Sequence, residues 1–371
     1  MAEDDDFDVE EAAGGEAPAA PAPRENPLLL GQEAAEASLL QAFNAGRLSH
    51  AWLVTGPRGI GKATLAYRFA RFLFAEGAEP GGGLFSAPAA SLAVAPSHQA
   101  FRMVVAGSHP DLLVVERGMD AKRKRQRREI VADDARSVGE FLHLTSSQGG
   151  WRVVIVDGAD MMNTHAANSL LKTLEEPPKR TVLLLASDNP GRLLPTIRSR
   201  CRTLPLKPLG DRPMSELLQR YRPDLSDRDR AVLERLAEGS IGRALELAAG
   251  EGLAIYNFII SMLENLPNLD PELLHSFAER LARNGAEDSF ALLSELLPSQ
   301  VARLVAASAQ RRAVPAEEAR ALGNLAGRRS LDQWAAVWEK LTHLFAQAEG
   351  INLDRKQVVL NAFFALEEAA R

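Results

Sequence analysis

Cysteine is almost absent from this chain of 371 residues: Cys201 stands alone. An intrachain disulfide and a cysteine-based metal cluster are therefore excluded, and a reducing, cytoplasmic setting is the expected home. No run of apolar residues reaches the roughly 18 needed to cross a membrane. The N-terminus also lacks the basic start and apolar stretch of a secretory signal. A global excess of positive charge is missing as well. The formal net charge is −6, with Glu3, Asp4, Asp5, Asp6, Asp8, Glu10, Glu11 and Glu16 crowded at the start against only Arg24. The rest of the chain is close to neutral, so any nucleic-acid contact must come from a local patch. Residues 1–24 are otherwise mostly Ala, Pro and Gly. They offer too little apolar surface to order themselves and are expected to form a disordered acidic tail.

What is present from 25 to 207 is an alternation of strand and helix. Ala51–Thr55, Asp111–Val115, Arg152–Val156 and Thr181–Ala186 are short apolar runs of the kind that form parallel strands buried on both faces. Between them Gln32–Asn44, Lys62–Phe74, Asp134–Leu144 and His165–Leu174 carry helical periodicity. The pattern predicts an α/β domain with a parallel sheet covered on both sides. Residues 77–108, rich in Gly, Ala and Pro, read as a loop-rich insertion. The basic run Lys122, Arg123, Lys124, Arg125, Arg127 and Arg128 is either a solvated loop face or a phosphate-contacting patch, in which case neutralising it would flatten the salt dependence of DNA binding. From 208 onward the chain reads as amphipathic helices only, with a small bundle at 208–250 and a larger one at 251–371. Trp334, Trp338, Leu341 and Phe345, and then Val359, Phe363 and Leu366, recur at helical spacing, as core or as subunit interface.

The strongest motif is Gly56-Pro57-Arg58-Gly59-Ile60-Gly61-Lys62-Ala63-Thr64, which follows one predicted strand and opens one predicted helix. That context defines a P-loop: glycines free the backbone to turn its N–H groups toward phosphate, and Lys62 adds charge. Gly56, Gly59, Gly61, Lys62 and Thr64 are thus candidate ATP-binding residues, together with Asp157 at the end of a later strand, where a P-loop ATPase keeps its magnesium-linked aspartate. Two catalytic parts are missing. Ala63 replaces the hydroxyl that holds Mg²⁺, and Thr64 is turned about 100° around the helix from it. Gly158 stands where a water-orienting glutamate usually follows the aspartate. Weak ATP binding, weak Mg²⁺ binding and little hydrolysis are expected, against the alternative of a competent P-loop ATPase.

Ala167-Asn168-Ser169-Leu170-Leu171-Lys172-Thr173-Leu174-Glu175-Glu176-Pro177-Pro178, and Pro195-Thr196-Ile197-Arg198-Ser199-Arg200-Cys201 with its Ser-Arg-Cys box, resemble segments of bacterial clamp-loader subunits of the AAA+ family. Within that family the delta prime group is the nearest in pattern. The resemblance spans about 26–371. It implies an α/β P-loop (AAA+) domain with a parallel sheet at 25–207, an all-α lid at 208–250 and an all-α collar at 251–371. It also implies work in DNA replication as part of the DNA polymerase III holoenzyme: a hetero-oligomer with ATPase motor and delta subunits, acting on a sliding clamp and primer-template DNA at replication forks. By the same resemblance Arg200 is an arginine finger offered in trans to a neighbour's ATP, a role suited to a planar, permanently charged guanidinium. The chain departs from the family in two respects. It has no thiolates for the family's four-cysteine zinc module, so no zinc is expected. In Gly239-Ser240-Ile241-Gly242-Arg243 the arginine comes one residue later than in the family's Gly-Ser-x-Arg sensor box, which puts a sensor role for Arg243 in doubt. Ser187 lies near the first sensor position. Cys201 is expected to be a buried small hydrophobe.

Overall fold

A computed structural model describes residues 20–77, 88–120, 125–146, 150–310, 316–325, 330–351 and 353–371. In chain order the elements of the first part are α1 (Glu33–Asn44), β1 (Ala51–Thr55), α2 (Lys62–Glu76), α3 (Gln99–Val105), β2 (Leu112–Val115), β3 (Met119–Asp120), β4 (Arg125–Gln126), α4 (Ala132–His143), β5 (Arg152–Asp157), α5 (Thr164–Glu175), β6 (Thr181–Ser187), α6 (Pro195–Arg198) and β7 (Arg202–Pro205). The helices α7 (Asp211–Tyr221), α8 (Asp227–Ala237) and α9 (Ile241–Ala249) follow, and then α10 (Gly252–Glu264), α11 (Pro271–Ala282), α12 (Glu287–Ala309), α13 (Ala316–Leu325), α14 (Leu331–Ile351) and α15 (Arg355–Ala370).

Five strands form one sheet in the order β2-β5-β6-β1-β7, every neighbouring pair parallel. Successive side chains of a strand face opposite sides, and the core follows that rule. Trp52, Val54, Val153, Ile155, Val182 and Leu184 pack with α1 and α2. Ala51, Leu53, Val154, Val156, Leu183 and Leu185 pack with α4 and α5. Both faces are therefore covered by helices, as the uninterrupted apolar strands require. The sheet brings the C-terminal ends of β1, β5 and β6 to one edge, and the P-loop, Asp157 and Ser187 all sit there.

Three elements depart from the sequence expectations. β7 was not predicted: only Leu204 of its four residues is buried, so this edge strand carries no continuous apolar run. Within the Gly/Ala/Pro-rich insertion, Gln99–Val105 forms a helix whose start is capped by His98, the ring accepting from the Ala100 N–H at 3.1 Å. In the basic run, β3 and β4 pair antiparallel. Lys122, Arg123, Lys124 and the side chain of Arg125 lie outside the described residues, and Arg127 makes a 3.8 Å ion pair with Asp134.

The chain divides into two compact units, Met1–Leu245 and Glu246–Arg371, the division falling inside α9. In the second unit Trp334, Leu341, Phe345, Val359, Phe363 and Leu366 are buried core, whereas Trp338 is 40% exposed. A step of four residues turns a helix about 40° past a full circle, which carries Trp338 to the flank of its stripe. The helix α12 has the length and apolar composition of a membrane span. It is a core helix: Leu293, Leu296, Leu297, Val301 and Leu304 are buried, and Arg303 reaches the buried Glu318, which also takes the Tyr256 hydroxyl.

Candidate functional site

The P-loop runs from the end of β1 to the start of α2. Gly56, Gly59 and Gly61 have φ of 144°, 77° and 103°, a region that side chains with a Cβ rarely enter. This explains the glycine spacing of the motif. The loop borders a cavity of about 460 Å³ lined by Arg58, Gly59, Gly61, Lys62, Ala63, Thr64, Glu116, Arg117, Asp157, Gly158, Asp188 and others. Of the candidate ATP-binding residues, Gly59, Gly61, Lys62, Thr64 and Asp157 line it; Gly56 does not, though its carbonyl accepts from Lys62. Ser187 is fully buried in β6 and does not line it.

Lys62 is the best-held group in the site. Its side chain is 7% exposed; its Nζ donates to the Gly56 carbonyl at 2.8 Å and to the Pro57 carbonyl at 2.6 Å, and forms an ion pair with the Asp188 carboxylate at 2.5 Å. Asp188 is held in turn. The carboxylate of the buried Asp160 accepts from the Asp188 N–H at 3.1 Å and from the Asn189 N–H at 3.3 Å. Neither Asp188 nor Asp160 was singled out by the sequence reading; no motif marks them, and only the sheet brings them to the P-loop.

Acids crowd the same space. The carboxyl of Asp157 is held above the usual carboxylate range, first by burial and then by Glu116 and Asp188, while Lys62 and Arg117 pull it back. A carboxyl that is harder to ionise in the fold than in the unfolded chain favours folding at low pH, and this contribution is lost as pH rises from the unfolded pKa through the folded one. Replacing Asp157 by Asn removes the cost. We expect Asp157→Asn to raise Tm, and by more at pH 8 than at pH 4. Thermal denaturation at the two pH values checks this; an unchanged or lowered Tm at pH 8 contradicts it. The same environment holds the Tyr67 hydroxyl up at about 12, burial being the larger cause and Glu116 and Asp157 the next.

Two other strands of structure close on the loop. Ser240 donates to the Arg58 carbonyl at 2.6 Å while accepting from the Arg243 N–H at 3.2 Å, so one hydroxyl caps α9 and fastens it to the P-loop. The Gly242 N–H donates to the Gly59 carbonyl at 2.9 Å. Gly242, Ile241 and Leu245 of α9 line the cavity, and Arg243 does not. On the other side lies the segment before α1. Ala20, Pro21, Pro23 and Asn26 line the cavity; Asn26 is hydrogen-bonded to the Tyr221 hydroxyl at 3.1 Å. The buried Arg71 donates to the Arg24 and Asn26 carbonyls at 3.3 and 2.7 Å and lies over the Phe101 ring. Arg24, assigned above to the acidic tail, is thus tied down by Arg71; residues 1–19 lie outside the described residues.

The residues do not fit a magnesium-bound nucleotide well. Position 63 has no hydroxyl, and Lys62 already holds two carbonyls and one carboxylate. Gly158 sits at φ 79°, where a glutamate would be strained.

Arg200 lies elsewhere, after α6, and does not line this cavity. Its side chain is 35% exposed and forms a 2.7 Å ion pair with Glu175, the last residue of α5. One of its guanidinium nitrogens also donates to the Thr196 carbonyl at 3.0 Å. Cys201 beside it is buried, and burial lifts its thiol to about 11, so it stays protonated and inert at neutral pH.

Residues 31–210 match the family model described as "DNA polymerase III, delta subunit". The DNA polymerase III subunit delta' of Pseudomonas aeruginosa is 41% identical over 153 residues, which is 41% of this chain and 42% of that protein. The delta' subunit of Escherichia coli is 35% identical over 215 residues, 57% of this chain and 58% of that protein. The chain therefore spans about half the length of these relatives. A Thermotoga maritima protein of known structure, related to the gamma subunit of DNA polymerase III, aligns over 90% of this chain and all of its own at 18% identity and a TM-score of 0.40. The family match runs from α1 to just past β7 and contains the P-loop, Asp157 and the Ser-Arg-Cys box; over these residues the chain is similar to delta' subunits of DNA polymerase III.

Proposed function

We propose that the chain is a non-hydrolysing partner in a clamp loader. It assembles with ATPase motor subunits and a delta subunit, helps place a sliding clamp on primed DNA during replication in the cytoplasm, and completes a neighbour's ATP site with Arg200. The supporting observation is the separation of two features. The chain's own P-loop lacks the hydroxyl at 63 and the carboxylate at 158, and its lysine is already paired. Arg200, by contrast, stands outside that cavity on a short surface turn, held by the exposed Glu175, the Thr196 carbonyl and the Ser199 hydroxyl. A guanidinium in that position can reach another subunit's phosphate without unfolding anything.

Reconstitution tests the proposal. The purified chain mixed with motor and delta subunits is expected to elute as one hetero-oligomer that loads a clamp onto primed DNA. The chain alone should hydrolyse ATP far more slowly than ~1 s⁻¹, the low end of ordinary enzyme turnover. Steady turnover by the chain alone that disappears in Lys62→Ala would favour the competent ATPase instead.

A further inference from the structure

Lys62 donates to two P-loop carbonyls and holds one carboxylate in an ion pair. The carboxylate is the decisive member. An ion pair at 2.5 Å on a lysine that is 7% exposed is screened much less than one in open solvent. It is also prepositioned, because the buried Asp160 fixes the backbone of residues 188 and 189 through two hydrogen bonds. The carboxylate of Asp188 thus stands on the lysine where an anionic ligand of a P-loop would have to go. Around it the cavity sets Glu116, Asp157 and Asp188 against Lys62, Arg58 and Arg117, so the site's charge is already balanced. A polyphosphate would have to break the Lys62–Asp188 pair and then lie beside three carboxyl groups.

We infer that Asp188 is the specificity-determining residue of this P-loop: it serves as a built-in counter-anion on Lys62 and excludes polyphosphate. The missing hydroxyl at 63 weakens metal binding only, whereas Asp188 acts on phosphate itself. Removing the carboxylate leaves Lys62 with two neutral acceptors and lowers the repulsion from the remaining acids. The loop should then bind anions even though it still cannot position a metal.

The experiment is calorimetric titration of the full-length chain with ATP, and separately with inorganic pyrophosphate, each without Mg²⁺. Wild-type protein is expected to show no binding at ligand concentrations up to about 1 mM, a weak-affinity limit of ~4 kcal/mol. Asp188→Asn and Asp188→Ala are expected to bind both ligands at least tenfold more tightly than that limit, and the gain should vanish when Lys62→Ala is added. Asp188→Glu, which keeps the charge, should remain closed. Ala63→Ser alone should not open the site. Wild-type binding with Kd below about 100 μM would overturn the inference whatever the variants do. So would folded Asp188→Asn protein that binds neither ligand. The inference is independent of Arg200: a loader indifferent to Arg200→Ala would remove the trans-finger reading and leave this one standing, and the reverse holds for a closed Asp188→Asn.

Discussion

Gly242→Val is expected to lower the Tm of the isolated chain by about 4–8 °C, the shift that ~2 kcal/mol produces in a domain of 150–250 residues. A Cβ at position 242 would lie 2.7 Å from the Gly59 Cα and 3.2 Å from the Gly59 carbonyl oxygen. Both are backbone atoms of the P-loop, so no side chain can swing away to make room. Overpacking of this sort costs about 1–3 kcal/mol. Gly242→Ala meets the same contact, but alanine regains up to ~1 kcal/mol of helix propensity, so its net loss should be smaller. Gly139, in α4, is the control: a Cβ there meets nothing within 4 Å, and Gly139→Ala should stabilise by roughly 0.5–1 kcal/mol. Thermal melts of the three variants decide the matter. If Gly242→Val melts with wild type, α9 does not sit against the loop as described. The same contact explains the displaced arginine of the sensor box. Any side chain at 242 would start inside the P-loop, and Arg243 points from the next position to a place outside the cavity lining.

The parts that were legible in the sequence were those carried by local pattern. β1, β5 and β6 each carry an unbroken apolar run because both faces are buried, and their burial is continuous up to Thr55, Val156 and Ser187. The P-loop was legible because its glycines answer a backbone requirement rather than a packing one. β7 was not, since its Arg202 and Thr203 are exposed and only Leu204 is buried. The closing contacts on the site were hidden for a different reason. Lys62 meets Asp188, Arg58 meets Ser240 and Arg71 meets Asn26 across long stretches of chain, and single-sequence patterns carry no pairing information of that kind. Likewise no local pattern shows that Arg71 captures the backbone of Arg24 and Asn26.

Arg200 carries the larger expected effect, and only in company. In the isolated chain Arg200→Ala removes a surface ion pair with Glu175, worth about 0–1 kcal/mol, so the melt should barely move. In an assembled loader a trans arginine can contribute about 10³–10⁵ to hydrolysis at the site it serves. Because Arg200 would serve one site of the assembly, the expected loss in total rate is set lower than that: at least about tenfold, or ~1.4 kcal/mol of transition-state stabilisation. Arg200→Lys should recover little, because a point charge on a flexible stem does not reproduce a planar fork of donors. Glu175→Gln frees the guanidinium without removing it and should leave the assembled rate within about twofold of wild type, a change of ~0.4 kcal/mol.

The central claim is that this chain acts on a neighbour's ATP and not on its own. The most direct measurement is DNA-stimulated ATP hydrolysis, with kcat and KM resolved, by complexes reconstituted with wild-type or Arg200→Ala chain and matched for subunit composition. A group that works only in the transition state lowers kcat and leaves ground-state binding alone. The account predicts kcat down at least about tenfold, KM for ATP within about twofold, and clamp loading reduced in parallel with kcat. A correctly assembled Arg200→Ala complex that hydrolyses ATP and loads clamps at the wild-type rate contradicts it.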